Sequence, residues 1–265
     1  MAKKPLVLVK LGGSLITNKS KPFTLQREAL VNVVKQLKQA HNEGLRLVVG
    51  HGHGSFAHVP AEKYRTMQGK INDESVYGAA VVEDVACQMN RIVVSEMLKQ
   101  NIPAVTQQPA SSVVLNGKGV EKVMVKGVMA LLAGGFVPVV YGDVLFKTDG
   151  NFTIWSTEKV LNFLALQLRN EGHQVNKVIH CGETDGFLKA GQVVEEIRPE
   201  TYEGMKTALV KAKGFDVTGG MEHKVEAALD LAKRGIDSYI VGNNHGGNLY
   251  RAMVGKEFIG TRITA

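Results

Sequence analysis

Cysteine is nearly absent from this chain. Only Cys87 and Cys181 occur in 265 residues, and neither belongs to a CxxC unit. That excludes a disulfide framework and a structural zinc built on paired cysteines. Aromatic residues are also scarce, at 6%, which leaves few platforms for stacking single-stranded nucleic acid. No apolar run is long enough for a membrane. The stretch from Val128 to Tyr141 is interrupted by Gly134, Gly135 and Pro138. Leu6-Val7-Leu8-Val9 stops at Lys10, too soon for a signal-peptide core. No GxxxxGK[ST] occurs, so the chain is not a P-loop NTPase. The expectation is a soluble cytoplasmic protein with no membrane partner.

What is present is ordinary globular composition, 44% apolar and 22% charged, which excludes disorder and fibrous classes. The balance of 32 basic and 25 acidic residues gives +7, with the basic residues scattered. Scattered charge suits an anionic small ligand at least as well as nucleic acid, and no nucleic-acid partner is expected. The length fits one large α/β domain or two small ones.

Strand-like and helix-like segments alternate. Leu6–Leu11 reads as a buried strand, Arg46–Val49 as a second ended by Gly50, and Val105–Val114 as short extended pieces. Val137–Tyr141, Val144–Phe146, Lys177–Cys181 and Ile236–Val241 read as further strands, with Glu257–Ile263 as a final edge. Thr24 is placed to cap a helix reaching His41. Glu74–Lys99, Val123–Ala133, Thr157–Asn170, Met205–Lys211 and Gly220–Arg234 keep helical periodicity. Strands separated by helices imply an α/β fold with a mostly parallel sheet covered on both faces. Two lobes on one continuous sheet are expected, dividing near residue 150.

Three glycine-rich loops fall at strand ends or helix starts. They are Lys10-Leu11-Gly12-Gly13-Ser14, Gly50-His51-Gly52-His53-Gly54-Ser55-Phe56-Ala57-His58, and Asp216-Val217-Thr218-Gly219-Gly220-Met221. In open α/β sheets such positions hold anions on backbone amides. Each loop has a cation nearby: Lys10 and Lys19, His58, and Lys224. A lysine in the first turns of a helix, as Lys224 is placed, is unfavourable unless it meets an anion. Lys10 would supply a point charge to a phosphoryl group in transfer. Asp143, Glu158 and Asp185 are the carboxylates placed to orient lysines or hold Mg²⁺, and which does which stays open. His51, His53 and His58 also suggest a metal site, without downstream ligands of matching spacing. Gly52-His53-Gly54-Ser55-Phe56-Ala57 matches the G-x-G-x-x-A dinucleotide fingerprint, a reading weakened because Asp73 and Glu74 open a helix instead of closing a strand.

These stretches resemble the amino acid kinase superfamily and, within it, the isopentenyl phosphate kinase family. The resemblance rests on Lys10-x-Gly12-Gly13-Ser14 with Lys19, on His51 to His58, on Tyr141-Gly142-Asp143-Val144, on Asp216 to Met221 with Lys224, and on Phe258-Ile259-Gly260-Thr261. It implies a three-layer α/β/α sandwich, a homodimer, and ATP with Mg²⁺ as cofactors. It implies transfer of the γ-phosphoryl of ATP to isopentenyl phosphate, a small-molecule phosphate acceptor of isoprenoid synthesis. Residues 1–150 would form the acceptor lobe and 151–265 the nucleotide lobe. Lys10 and Lys19 would stabilise the transferring group, oriented by Glu158. His58, Gly52, Gly54, Ser55, Gly142 and Asp143 would bind the acceptor. Gly12, Gly13, Ser14, Asp185, Gly186, Gly219 and Lys224 would hold the nucleotide.

The pattern departs from the family at three places. SGDD becomes Ser156-Thr157-Glu158-Lys159, TDVDG becomes Gly182-Glu183-Thr184-Asp185-Gly186, and the acceptor loop carries His53 and Ala57 for glycines. The related fosfomycin kinases share the lysines, the loop and the histidine, so a compact phosphonate is an alternative acceptor. A non-catalytic nucleotide-binding sensor is the alternative from another class. For a five-carbon tail, Val82, Val85, Ala86 and Met89 offer an apolar wall, which core packing explains equally.

Overall fold

Leu6–Leu11 is the strand on which the molecule is organised, and all six of its residues are buried. A computed structural model describes residues 5–18, 20–117, 119–120, 123–211 and 219–265. In chain order the first part carries β1 (Leu6–Leu11), α1 (Gly13–Ile16), α2 (Arg27–Asn42), β2 (Arg46–His51), α3 (His58–Lys63), α4 (Glu74–Lys99) and β3 (Ala104–Thr106). Then come α5 (Pro109–Ser112), β4 (Val114–Asn116), β5 (Gly119–Val120), α6 (Val123–Ala133), β6 (Val137–Tyr141), β7 (Asp143–Lys147) and β8 (Phe152–Trp155). The second part carries α7 (Thr157–Asn170), β9 (Val175–Gly182), β10 (Leu188–Lys189), β11 (Gln192–Val193), β12 (Glu196–Ile197) and α8 (Pro199–Lys211). It ends with α9 (Gly219–Ala232), β13 (Asp237–Gly242), α10 (Asn248–Val254) and β14 (Gly260–Ile263).

Eight strands form one sheet in the order β12-β14-β13-β9-β1-β2-β6-β3. Every pairing is parallel except β13 with β14. Side chains alternate across a strand, so β1 feeds two cores. Val7, Val9 and Leu11 pack with α2, α4 and α10 through Leu30, Val33, Leu37, Met89, Val93 and Leu249. Leu6 and Leu8 pack on the other face with Val128 of α6 and Val160, Leu161, Leu164 and Leu168 of α7. Each such buried aliphatic side chain stabilises the fold by about 1.5–3 kcal/mol. This alternation fixes the site, because Lys10 continues the Leu6 and Leu8 face toward α7. A smaller sheet, β5-β4-β7-β8, stands beside the main one. No helix among the described residues is long and apolar enough to cross a membrane.

Several boundaries differ from the sequence expectation. Thr24 does not cap α2. Its hydroxyl donates to the Pro22 carbonyl, Leu25 bridges to Thr17, and the helix begins at Arg27. Strand β2 runs through Gly50 to His51, because parallel pairing with β1 and β6 continues to its end. Between Val105 and Val114 the chain makes the short helix α5, opened by Pro109, as well as extended pieces. The closing strand is not an edge: β14 lies between β13 and the two-residue β12. The four residues of α4 proposed as an apolar wall are core residues. Val85 and Met89 pack on the main sheet, Val82 packs with Val144 and Phe152, and Ala86 is 1% exposed.

Candidate active site

Lys10 is only 8% exposed, although it stands one residue from the end of β1. Its ammonium is bonded to the carboxylate of Glu158, in the first turn of α7. A buried ammonium needs such a partner, because desolvation otherwise disfavours its charge. Burial alone would raise the Glu158 carboxyl, but the Lys10 charge and hydrogen bond outweigh it and hold the pKa at about 2. Ser156 caps α7 by accepting from the Lys159 amide, which fixes the turn that carries Glu158.

The loops after β1 and β2 meet backbone to backbone. A Cβ on Gly13 would lie 2.8 Å from the Cα of Gly54, and one on Gly52 would lie 2.7 Å from the Gly13 nitrogen. Gly54 has φ +49°, a conformation that favours glycine. Thr17 locks the junction. Its hydroxyl donates to the Gly13 carbonyl at 2.8 Å and accepts from the Ser55 amide at 3.0 Å. The Gly12 amide is tied to the Cys181 carbonyl of β9, and Ser14 lies in α1. The close approach holds Gly12, Gly13 and Ser14 beside Gly52, Gly54 and Ser55.

The acceptor-loop histidines differ in environment. His51 is fully buried and lies 3.1 Å from Asn90 of α4 through Nε2, and burial lowers its pKa to about 4. His53 sits edge-on to His51 and Tyr141 at 5.5 and 5.6 Å between centroids. Burial pushes its pKa well down, and the charges of His51, His58 and Lys10 add to the fall. His58 opens α3 and is exposed. On the neighbouring turn, the Gly142 amide donates to Thr157 Oγ1 at 2.9 Å. Asp143 is 2% exposed and accepts from the Ala110 and Val144 amides, both at 2.9 Å. Burial pushes its carboxyl up to about 7, opposed by those amides and assisted by the Glu83 charge.

On the other side, Lys224 lies in α9, which Gly219 opens, and its charge reaches His180 of β9. Asp185 is held by Asn244 and His245, each at 3.2 Å. Gly186 packs against Thr261, whose hydroxyl accepts from the Phe187 amide at 2.7 Å. Lys19 and Asp216-Val217-Thr218 lie outside the described residues.

The sequence reading missed three residues. Thr17 and Thr157 tie loops together, Thr157 by donating to the His51 carbonyl at 2.8 Å while accepting from Gly142. His180 is the Cα partner of Lys10 across the β1–β9 pairing and so shares its face. A polar residue inside the apolar run Val178-Ile179-His180-Cys181 was the available signal. Buried polar atoms without a hydrogen-bond partner gather here: His53 Nε2, Ser55 Oγ and His180 Nδ1. Native structures keep such atoms rare, and a ligand is one reason for the two on the loop after β2. Among the described residues no group of three His, Cys, Asp or Glu side chains could hold a metal ion. His51, His53 and His58 form no such group with the described residues around them.

Comparison with known proteins gives consistent results. The model of the amino acid kinase family matches residues 5–242. The isopentenyl phosphate kinase of Methanothermobacter thermautotrophicus is 32% identical, covering 98% of this chain and 99% of its own. That of Methanocaldococcus jannaschii is 27% identical, covering 97% and 98%. An X-ray structure of isopentenyl phosphate kinase superposes with a TM-score of 0.79 at 28% identity, over 98% of this chain and all of that one.

Proposed function

This chain belongs to the amino acid kinase family, and we propose that it transfers the γ-phosphoryl of ATP to the phosphate of isopentenyl phosphate. The observation that carries this reading is the contact of the Gly12–Gly13 and Gly52–Gly54 loops beside the Lys10–Glu158 pair. Two anions held on these loops stand end to end, with a fixed ammonium available to the group in transfer. The near-full-length relatives named isopentenyl phosphate kinase support the choice of acceptor.

In this mechanism Gly12, Gly13 and Ser14 hold the nucleotide phosphates, with Gly219 and Lys224 from the nucleotide lobe, residues 151–265. Asp185 and Gly186 shape that side. Gly52, Gly54, Ser55 and His58 of the acceptor lobe, residues 1–150, hold the acceptor phosphate, and Gly142 and Asp143 brace the adjoining turn. Glu158 positions Lys10, and Lys10 with Lys19 neutralises charge on the equatorial oxygens. The acceptor is already an anion, so positioning and charge neutralisation suffice without a general base. Mg²⁺ would enter with the nucleotide substrate, carried by its phosphates. A cytoplasmic homodimer completes the reading.

The test is ATP consumption with isopentenyl phosphate, dimethylallyl phosphate and fosfomycin side by side. Turnover with isopentenyl phosphate is expected. Turnover with fosfomycin alone would move the assignment to the phosphonate kinases. ATP binding without turnover on any acceptor would leave a nucleotide sensor.

A further inference from the structure

We infer that His180 is a further phosphate-contacting residue of this site, its neutral imidazole donating from Nε2 to a phosphoryl oxygen held between Lys10 and Lys224. The inference rests on the kinase reading and adds a residue to it. His180 is 6% exposed and faces the same side of the sheet as Lys10. The charges of Glu158, Lys10 and Lys224 all act on its ring. A phosphoryl oxygen brought to Lys10 on this face of the sheet therefore approaches this imidazole.

The state of the ring follows from its surroundings. Nδ1 is sealed from solvent and has no partner. A proton there would be a buried donor with nothing to receive it, so the favoured tautomer carries the proton on Nε2. Burial lowers the pKa to about 4, with Glu158 opposing and the two lysines adding to the fall, so the ring is neutral near pH 7. A neutral donor adds a hydrogen bond to the phosphoryl group without placing a third cation beside two lysines. It is also rigid, because the imidazole is packed on a central strand and needs no reorganisation when charge develops.

The experiment combines kinetics with a spectroscopic readout on the wild-type protein. His180→Leu is expected to lower kcat by about 10- to 100-fold while the KM for isopentenyl phosphate stays unchanged. His180→Asn, which restores an N–H donor, is expected to recover part of the loss. In wild-type protein a saturating non-hydrolysable ATP analogue is expected to move the Nε2 resonance of His180 in nitrogen NMR. A His180→Leu enzyme with wild-type kcat and wild-type KM values would overturn the assignment. So would an Nε2 resonance indifferent to nucleotide, a readout that holds even where the leucine variant fails to fold. A shifted resonance in a protein that phosphorylates none of the acceptors would keep the phosphate contact and reject the proposed reaction.

Discussion

Gly13 and Gly54 approach so closely that a Cβ on Gly13 would stand 2.8 Å from the Cα of Gly54. Backbone cannot yield there as the end of a flexible side chain can. Gly54→Ala adds a second fault, since φ is +49° and the new methyl would overlap the Thr17 hydroxyl and the Gly13 carbonyl. We expect Gly54→Ala to lower stability by about 2–4 kcal/mol and turnover by at least about 100-fold. Thermal melts and ATP turnover on the same preparation check this, and wild-type values for both would show that the loops are not in contact.

Lys10→Met removes the ammonium and leaves Glu158 in its largely buried place without a cation. Burial is then opposed only by His180 and a backbone hydrogen bond, and the Glu158 carboxyl moves up from about 2. Turnover should vanish with every acceptor, and stability should fall by about 3 kcal/mol. Lys10→Met/Glu158→Gln should regain much of that stability and none of the turnover. A double-mutant cycle measures the coupling. Additive losses would mean the pair does not interact.

Much of this arrangement was legible in the sequence. The runs Leu6–Leu11 and Val137–Tyr141 announce themselves by β-branched, apolar residues between turn formers, and Glu74–Lys99 and Thr157–Asn170 by helical period. Glycine-rich loops at strand ends marked where the backbones of Gly13 and Gly54 meet. What was not legible depends on contacts between distant segments. Thr24 has the chemistry of a helix cap, but the Thr17–Leu25 bridge fixes the backbone and delays the helix to Arg27. Val82 and Met89 keep an amphipathic period, which names a buried face without saying what it faces. Nothing local in His180 reveals that β9 pairs with β1 in the register that sets it beside Lys10.

Acid should destabilise the fold, with signs that differ by residue. His51 and His180 have folded pKa values of about 4 against 6.5 unfolded, so the unfolded chain binds more protons between those values. Their contribution is present above pH 6.5 and is lost as pH falls toward 4. Glu158, lowered from 4.5 to about 2, adds a loss below pH 4.5. Asp143, raised from 3.8 to about 7, works oppositely and costs stability as pH rises through that window. With His53 also held neutral, the histidines outnumber Asp143. The melting temperature should fall on acidification from neutrality and fall more steeply below pH 4.5. The fall above pH 4.5 should be shallower in His180→Leu. A melting temperature that is flat or rises on acidification contradicts this.

Thr157→Val keeps shape and removes the hydroxyl that accepts from Gly142 and donates to the His51 carbonyl. Two buried backbone groups lose their partner, at about 1–3 kcal/mol each. Thr157→Ser should hold stability within about 1 kcal/mol of wild type. Chemical denaturation of the three proteins decides it; equal midpoints would show that water replaces the hydroxyl.

The most direct measurement is a crystal structure with a non-hydrolysable ATP analogue and isopentenyl phosphate bound together. The γ-phosphate should lie about 3 Å from Lys10 Nζ and the amides of the Gly12–Gly13 loop, with the acceptor phosphate on Gly54, Ser55 and His58. Phosphates bound elsewhere, with the junction of Gly13 and Gly54 empty, would contradict it.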